Sequence, residues 1–141
     1  MKFKILNSIT YLFLFSFVSL PLDADTLYTE LGGSEAVTKF VTKAVETLHA
    51  DQRVAFLFED TDEEETIIQI SDLICFLSSG PCEYDGQDMD EVHSGMEITE
   101  AEFDIFVSIV IDAMEFADIA HSTRNKLLAL LAPMREEIIN Q

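Results

Sequence analysis

Val37, Phe40, Val41, Ala44, Val45 and Leu48 return at intervals of three and four residues, which sets six apolar side chains along one helical face. The same spacing marks Ile67, Ile70, Leu73, Ile74 and Leu77, then Phe103, Phe106, Val107, Val110 and Met114, then Leu127, Leu128, Leu131, Met134 and Ile138. Each stripe must be covered by another element, so the pattern predicts an all-α fold of packed helices. Five glycines and three prolines are too few to turn an all-β chain. At 141 residues and 48 % apolar content, one domain can bury a real core.

Local signals divide the chain further. Thr26 to Leu31 reads as a short helical turn stopped by Gly32-Gly33, and Ser34 is placed to cap the helix that follows. That helix ends near His49-Ala50-Asp51, and Val54 to Phe58 is an apolar connector. The acids from Asp60 to Glu65 suit a helix start, where the macrodipole favours negative charge. They resemble a fragment of a calcium loop, but no glycine follows in register and the twelve-residue ligand spacing fails. Ser78 to Gly86 reads as a loop, Asp88 to Ser94 as a short helix carrying His93, and Thr99-x-x-Glu102 as a capping box opening a long helix. A last helix begins near Ser122, and Pro133 should kink it. There is no internal repeat.

The first residues have a different character. Lys2 and Lys4 precede an uncharged, mostly apolar run from Ile5 to Leu22, followed by Asp23-Ala24-Asp25. This is the layout of a secretory signal peptide, with cleavage expected after Ala24. It divides the chain into a leader, 1–24, and a domain, 25–141. The alternative is an uncleaved anchor, but the run is barely long enough to span a bilayer and Asn7, Ser8, Thr10 and Tyr11 dilute it. Export predicts a periplasmic or secreted protein without stable membrane association after cleavage. An oxidising compartment lets Cys75 and Cys82 pair across a turn; two free buried thiols are the other reading.

Charge narrows the partners. Eight Lys and Arg against 27 Asp and Glu give a net −19. Nucleic acid needs clustered cations and is excluded as a partner. A cationic protein, or a basic reductase, would be steered toward such a surface. No nucleophile–base set is visible, so the chain offers no protein-based catalytic constellation. The residue that stands out is His93, set among Met89, Val92, Met96 and Ile98. Alone, it is either a structural histidine or a single imidazole ligand to a metal group seated on apolar side chains.

Four segments, in order, tip that choice. Leu27-Tyr28-Thr29-Glu30-Leu31-Gly32-Gly33 resembles the start of group I truncated haemoglobins, and Tyr84-x-Gly86-x-Asp88-Met89 with Glu91-x-His93 resembles their centre. Ile98-Thr99-x-x-x-Phe103-Asp104 and Leu131-Ala132-Pro133-Met134-Arg135 continue the likeness, which covers residues 27–139. The resemblance implies a globin-like two-over-two helical sandwich, haem b, and His93 as proximal iron ligand. It implies a lining of Phe58, Leu73, Tyr84, Met89, Val92, Met96, Ile98, Phe103 and Val107, and a distal pocket of Phe40, Ala44, Val45, Thr66, Gln69 and Ile70. A diatomic gas (O2, NO or CO) is the implied ligand, and any nitric oxide or peroxide turnover would be the haem's own chemistry.

The departures from the family are specific. Ala44 and Val45 stand where Phe-Tyr is usual, so the phenol that donates to bound oxygen is absent, and Ile70 stands where glutamine is frequent. Thr66 and Gln69 are left as distal donors. Gln87 and Gln69 stand where relatives often carry cations that meet the haem propionates. Faster haem loss is therefore expected. The competing expectation is a haem-less acidic module of the same fold, binding an apolar ligand or a basic protein. His49 and His121 fall at helix ends and are expected to face solvent.

Overall fold

The structure is a computed structural model and describes residues 25–139. The expected leader and its cleavage site before Asp25 lie outside the described residues, as do positions 140 and 141. The described residues form helices and no strand: α1 (Leu27–Glu30), α2 (Gly33–Ala50), α3 (Glu63–Leu77), α4 (Met89–His93), α5 (Glu100–Phe116), α6 (His121–Leu131) and α7 (Arg135–Ile138). Single 3-10 turns lie at Ala55–Phe58 and Ala132–Met134. The second is the predicted break at Pro133, whose missing N–H ends α6.

Capping sets the boundaries. The Thr26 hydroxyl accepts from the Thr29 N–H at 3.2 Å and opens α1. Gly32, not Ser34, caps α2: its φ of 96° is left-handed, and Ser34 already lies inside the helix. The chain must reverse within two residues after α1, and glycine takes that backbone without a Cβ penalty. A Cβ on Gly32 would stand 2.7 Å from that of Ala36. Asp62 caps α3 by accepting from the Glu65 N–H at 2.8 Å, with Glu63, Glu64 and Glu65 in the first turn. The Thr99–Glu102 capping box opens α5 as predicted.

The core is organised around α2. Its six periodic apolar residues are buried against Ile74 of α3 and Ile109, Val110, Ala113 and Met114 of α5. Leu31 after α1, Leu127 of α6 and the loop residues Val54 and Ile119 complete it. Both α3 and α5 take α2 as their main partner, and α6 returns onto α1 and α5. The short α4 packs chiefly on α7.

The end of α3 shapes the next loop. Ser79 turns left-handed at φ 62°, and the Gly80 N–H donates back to the Cys75 carbonyl at 2.7 Å. A Cβ on Gly80 would meet Cys75 Sγ at 2.6 Å and the Tyr28 ring at 2.8 Å, so only glycine fits. This reversal carries Cys82 back to α3, where it forms a disulfide with Cys75 across a Cα–Cα distance of 6.2 Å.

Candidate functional site

His93 ends α4, one turn after Met89. Its Nδ1 lies 2.7 Å from the Met89 carbonyl oxygen. A carbonyl only accepts, so Nδ1 is the donor, and Nε2 is the ring nitrogen that this bond does not use. An imidazole oriented by such a backbone bond is pre-set to ligate through Nε2. The ring is half-buried, neither sealed in the core nor free in solvent.

The surrounding apolar residues share one property. Leu73 on α3, Phe103 and Val107 on α5, and Met89 and Met96 around α4 are all half-buried, and none belongs to the core around α2. Ile98 is buried, while Val92 is 43 % exposed. Phe58 and Ile70 are half-buried and lean on the core. Next to His93 in the chain, Val92 lines a cleft of about 260 Å³ together with Gln69 and Asp72 of α3 and Tyr84 to Gln87 of the loop. The structure thus gathers Gln69, Tyr84 and Val92 at one mouth. It adds Asp72 and Asp85, which the sequence did not single out because they were two acids among many.

Tyr84 shapes that mouth. Its hydroxyl donates to the Gln87 carbonyl at 3.3 Å, and its ring centroid lies 6.3 Å from that of Phe76. Gly86 allows the ring to fold onto the loop, since a Cβ there would sit 2.3 Å from the phenol. Burial, reinforced by the negative charges of Asp88 and Asp85, pushes the Tyr84 phenol pKa above its usual value.

The expected distal residues are less available than their identities suggest. Phe40, Ala44 and Val45 are enclosed in the core. The Thr66 hydroxyl donates to the Asp62 carbonyl of its own helix at 2.7 Å. The exposed Gln69 amide donates to the Glu65 carboxylate at 3.1 Å. Ile70 offers no polar atom. At these expected positions the polar groups of Thr66 and Gln69 thus bond within their own helix.

His49 departs from expectation. It is half-buried, its ring centroid is 5.6 Å from that of Phe58, and its Nε2 is buried with no partner among the described residues. The 3-10 turn folds back over the last turn of α2, which a one-dimensional pattern does not show. His121 is exposed, as expected, with Nδ1 3.4 Å from the Asn125 amide nitrogen. Among the described residues no group of three His, Cys, Asp or Glu is placed to hold a metal ion.

An all-helical sandwich with a single oriented imidazole beside open apolar walls defines a haem-protein class. The family model described as bacterial-like globin matches residues 26–140, and the chain belongs to that family. It is similar to the group 1 truncated hemoglobin of Tetrahymena pyriformis, 26 % identical over 116 residues, covering 82 % of this chain and 96 % of that one. A group 1 truncated hemoglobin of Nostoc sp. is 27 % identical over 119 residues, covering 82 % and 98 %. The crystal structure of the Tetrahymena pyriformis protein in its Fe(III) form superposes with a TM-score of 0.78, over 82 % of this chain and 99 % of that one. The fold is thus the two-over-two truncated-globin sandwich.

Membership brings haem as the cofactor and a gas as its ligand. The residues present fit haem: His93 supplies an imidazole oriented by its Nδ1 bond, and the half-buried apolar side chains outside the core supply surface for a flat macrocycle.

Proposed function

We propose that this chain binds haem b through His93 and takes up a diatomic gas on the side of α3. The observation that carries the reading is the 2.7 Å bond from His93 Nδ1 to the Met89 carbonyl, which leaves Nε2 free to ligate. Leu73, Phe103, Val107, Met89 and Met96 hold the macrocycle by apolar contact and keep water from it. When bound, haem supplies the coordination position for the gas and the redox chemistry for turnover of nitric oxide or peroxide.

The distal wall decides which gas stays. Oxygen gains from a hydrogen-bond donor far more than carbon monoxide does. With Val45 in the core, Ile70 apolar, and Thr66 and Gln69 engaged, that stabilisation is missing. A lost charge-assisted hydrogen bond costs about 1.5–3 kcal/mol, roughly ten- to a hundredfold in affinity. Oxygen should leave fast, and discrimination against carbon monoxide should be small. Gas sensing or turnover is favoured over oxygen storage.

Hemin titration of the purified protein, followed by reduction, tests the reading. A one-to-one endpoint with a five-coordinate ferrous histidine spectrum supports it. His93→Ala should lose that spectrum and recover it when imidazole is added. A haem spectrum indifferent to His93, or no sharp Soret band in the parent protein, would sink it. The second outcome would favour the haem-less acidic module.

We also propose that the protein is exported and that residues 1–24 are removed. Lys2, Lys4 and the apolar run to Leu22 support this. No helix among the described residues is long and apolar enough to cross a membrane. Intact-mass measurement of protein recovered outside the cytoplasm should give a chain beginning at Asp25, and a full-length mass would overturn it.

A further inference from the structure

The mouth of the cleft bears charge of one sign. Gln69, Asp72, Tyr84, Asp85, Gly86, Gln87 and Val92 line it: two carboxylates, two amides and a phenol, but no cation. None of the lysines and arginines among the described residues lines this mouth, although the Arg135 guanidinium stands 5.4 Å from the centre of the Phe103 ring. Arg53 pairs with Asp51, Arg124 with Glu115, Lys126 with Glu30, and Arg135 with Glu100 and Asp104. Lys39 and Lys43 stand over the Phe116 ring. Asp72 and Asp85 are exposed and make no ion pair among the described residues, and the chain's net −19 adds to their field. Tyr84 registers the same field, since Asp85 and Asp88 reinforce the effect of burial on its phenol.

A flat amphipathic ligand entering apolar walls keeps its charged edge in water, at the mouth. In haem that edge is two propionates. We propose that Asp72 and Asp85 are specificity-determining residues that set this cleft against a dianionic edge, so that it prefers a metallated tetrapyrrole whose edge carboxylates are neutralised and holds haem itself loosely. The inference rests on the haem reading above. Repulsion between partly screened charges several ångströms apart amounts to roughly three- to thirtyfold in affinity at low ionic strength.

The test compares hemin with hemin dimethyl ester, titrated into the purified protein at low and high salt. The ester should bind roughly tenfold tighter than hemin at low salt. Hemin affinity should rise as salt is added, because screening weakens repulsion; a cationic rim would give the opposite sign. Asp72→Asn with Asp85→Asn should narrow the gap, and Gln87→Arg should narrow or reverse it. All three positions are exposed, and unchanged far-ultraviolet circular dichroism would verify the fold. Hemin binding as tightly as the ester, or losing affinity with salt, would overturn the proposal. So would a gap unchanged in the double variant, since the ester's greater apolarity would then explain it. His93-dependent hemin binding with a weaker ester leaves the haem reading intact and removes only this inference. No His93-dependent spectrum with either compound removes both.

Discussion

Val45 on α2 and Leu73 on α3 are both aliphatic, and both lie on faces that the sequence marks as apolar. Val45 is wholly enclosed, whereas Leu73 is half-buried and outside the core. The same contrast separates Phe40 from Phe103. Burial around α2 is complete because α3 and α5 both choose it as their partner. Leu73 and Phe103 stay half-buried for the same reason, since α3 and α5 pack on α2 rather than on one another and α4 is drawn to α7. One region spends its apolar surface on folding and the other keeps it for a ligand.

The contrast breaks most sharply at His93. His93→Ala should lower haem affinity by more than the roughly 10–100-fold that loss of an outer-shell partner costs, while the apoprotein's urea midpoint stays nearly unchanged. Phe40→Ala should do the reverse. Truncating a buried phenylalanine costs about 3–5 kcal/mol of stability, visible in the same denaturation curve without ligand. Reduction of Cys75–Cys82, or their joint replacement by serine, should cost about 2–3 kcal/mol and fall on the α3 end and the loop behind the cleft mouth. Val45→Tyr crosses the two regions. Overpacking should cost about 1–3 kcal/mol, and a phenol that reaches the gas should slow oxygen dissociation measured by stopped flow.

The smallest effects concern caps and acids. Thr99→Ala removes the hydroxyl of the α5 capping box and should cost about 1 kcal/mol, equally with and without haem. Arg53 holds the Asp51 pKa down to about 2, and Thr99 holds that of Glu102 below its usual value. For carboxylates with a depressed folded pKa, the stabilisation is present above the unfolded value and is lost as pH falls through the folded one. Stability should therefore decline as pH drops from about 4 toward 2. Arg53→Ala should flatten the Asp51 part of that decline in acid titrations followed by circular dichroism.

Much of this was legible beforehand because it is local. Apolar spacing marks α2, α3, α5 and α6, and Thr99-x-x-Glu102 and Pro133 mark boundaries by their own chemistry. His93 stood out because it is a lone imidazole among soft apolar side chains. The cap of α2 is not legible in this way: serine is a good cap in general, yet only the left-handed backbone of Gly32 makes the reversal. Nor is the burial of His49, whose cover comes from Ala55–Phe58, outside its own helix.

Helices, caps and the candidate ligand follow from residues three or four positions apart, and the sequence by itself determines them. Which apolar stripe is sealed and which stays open depends on the choice of packing partner, and only the tertiary structure decides it. The same holds for the cleft mouth: Asp72 and Asp85 lie thirteen positions apart in a chain full of acids. They share one rim because Gly80 and the disulfide fold the loop back onto α3. Charge acts through space, so a rim without cations becomes visible only once the chain has closed on itself.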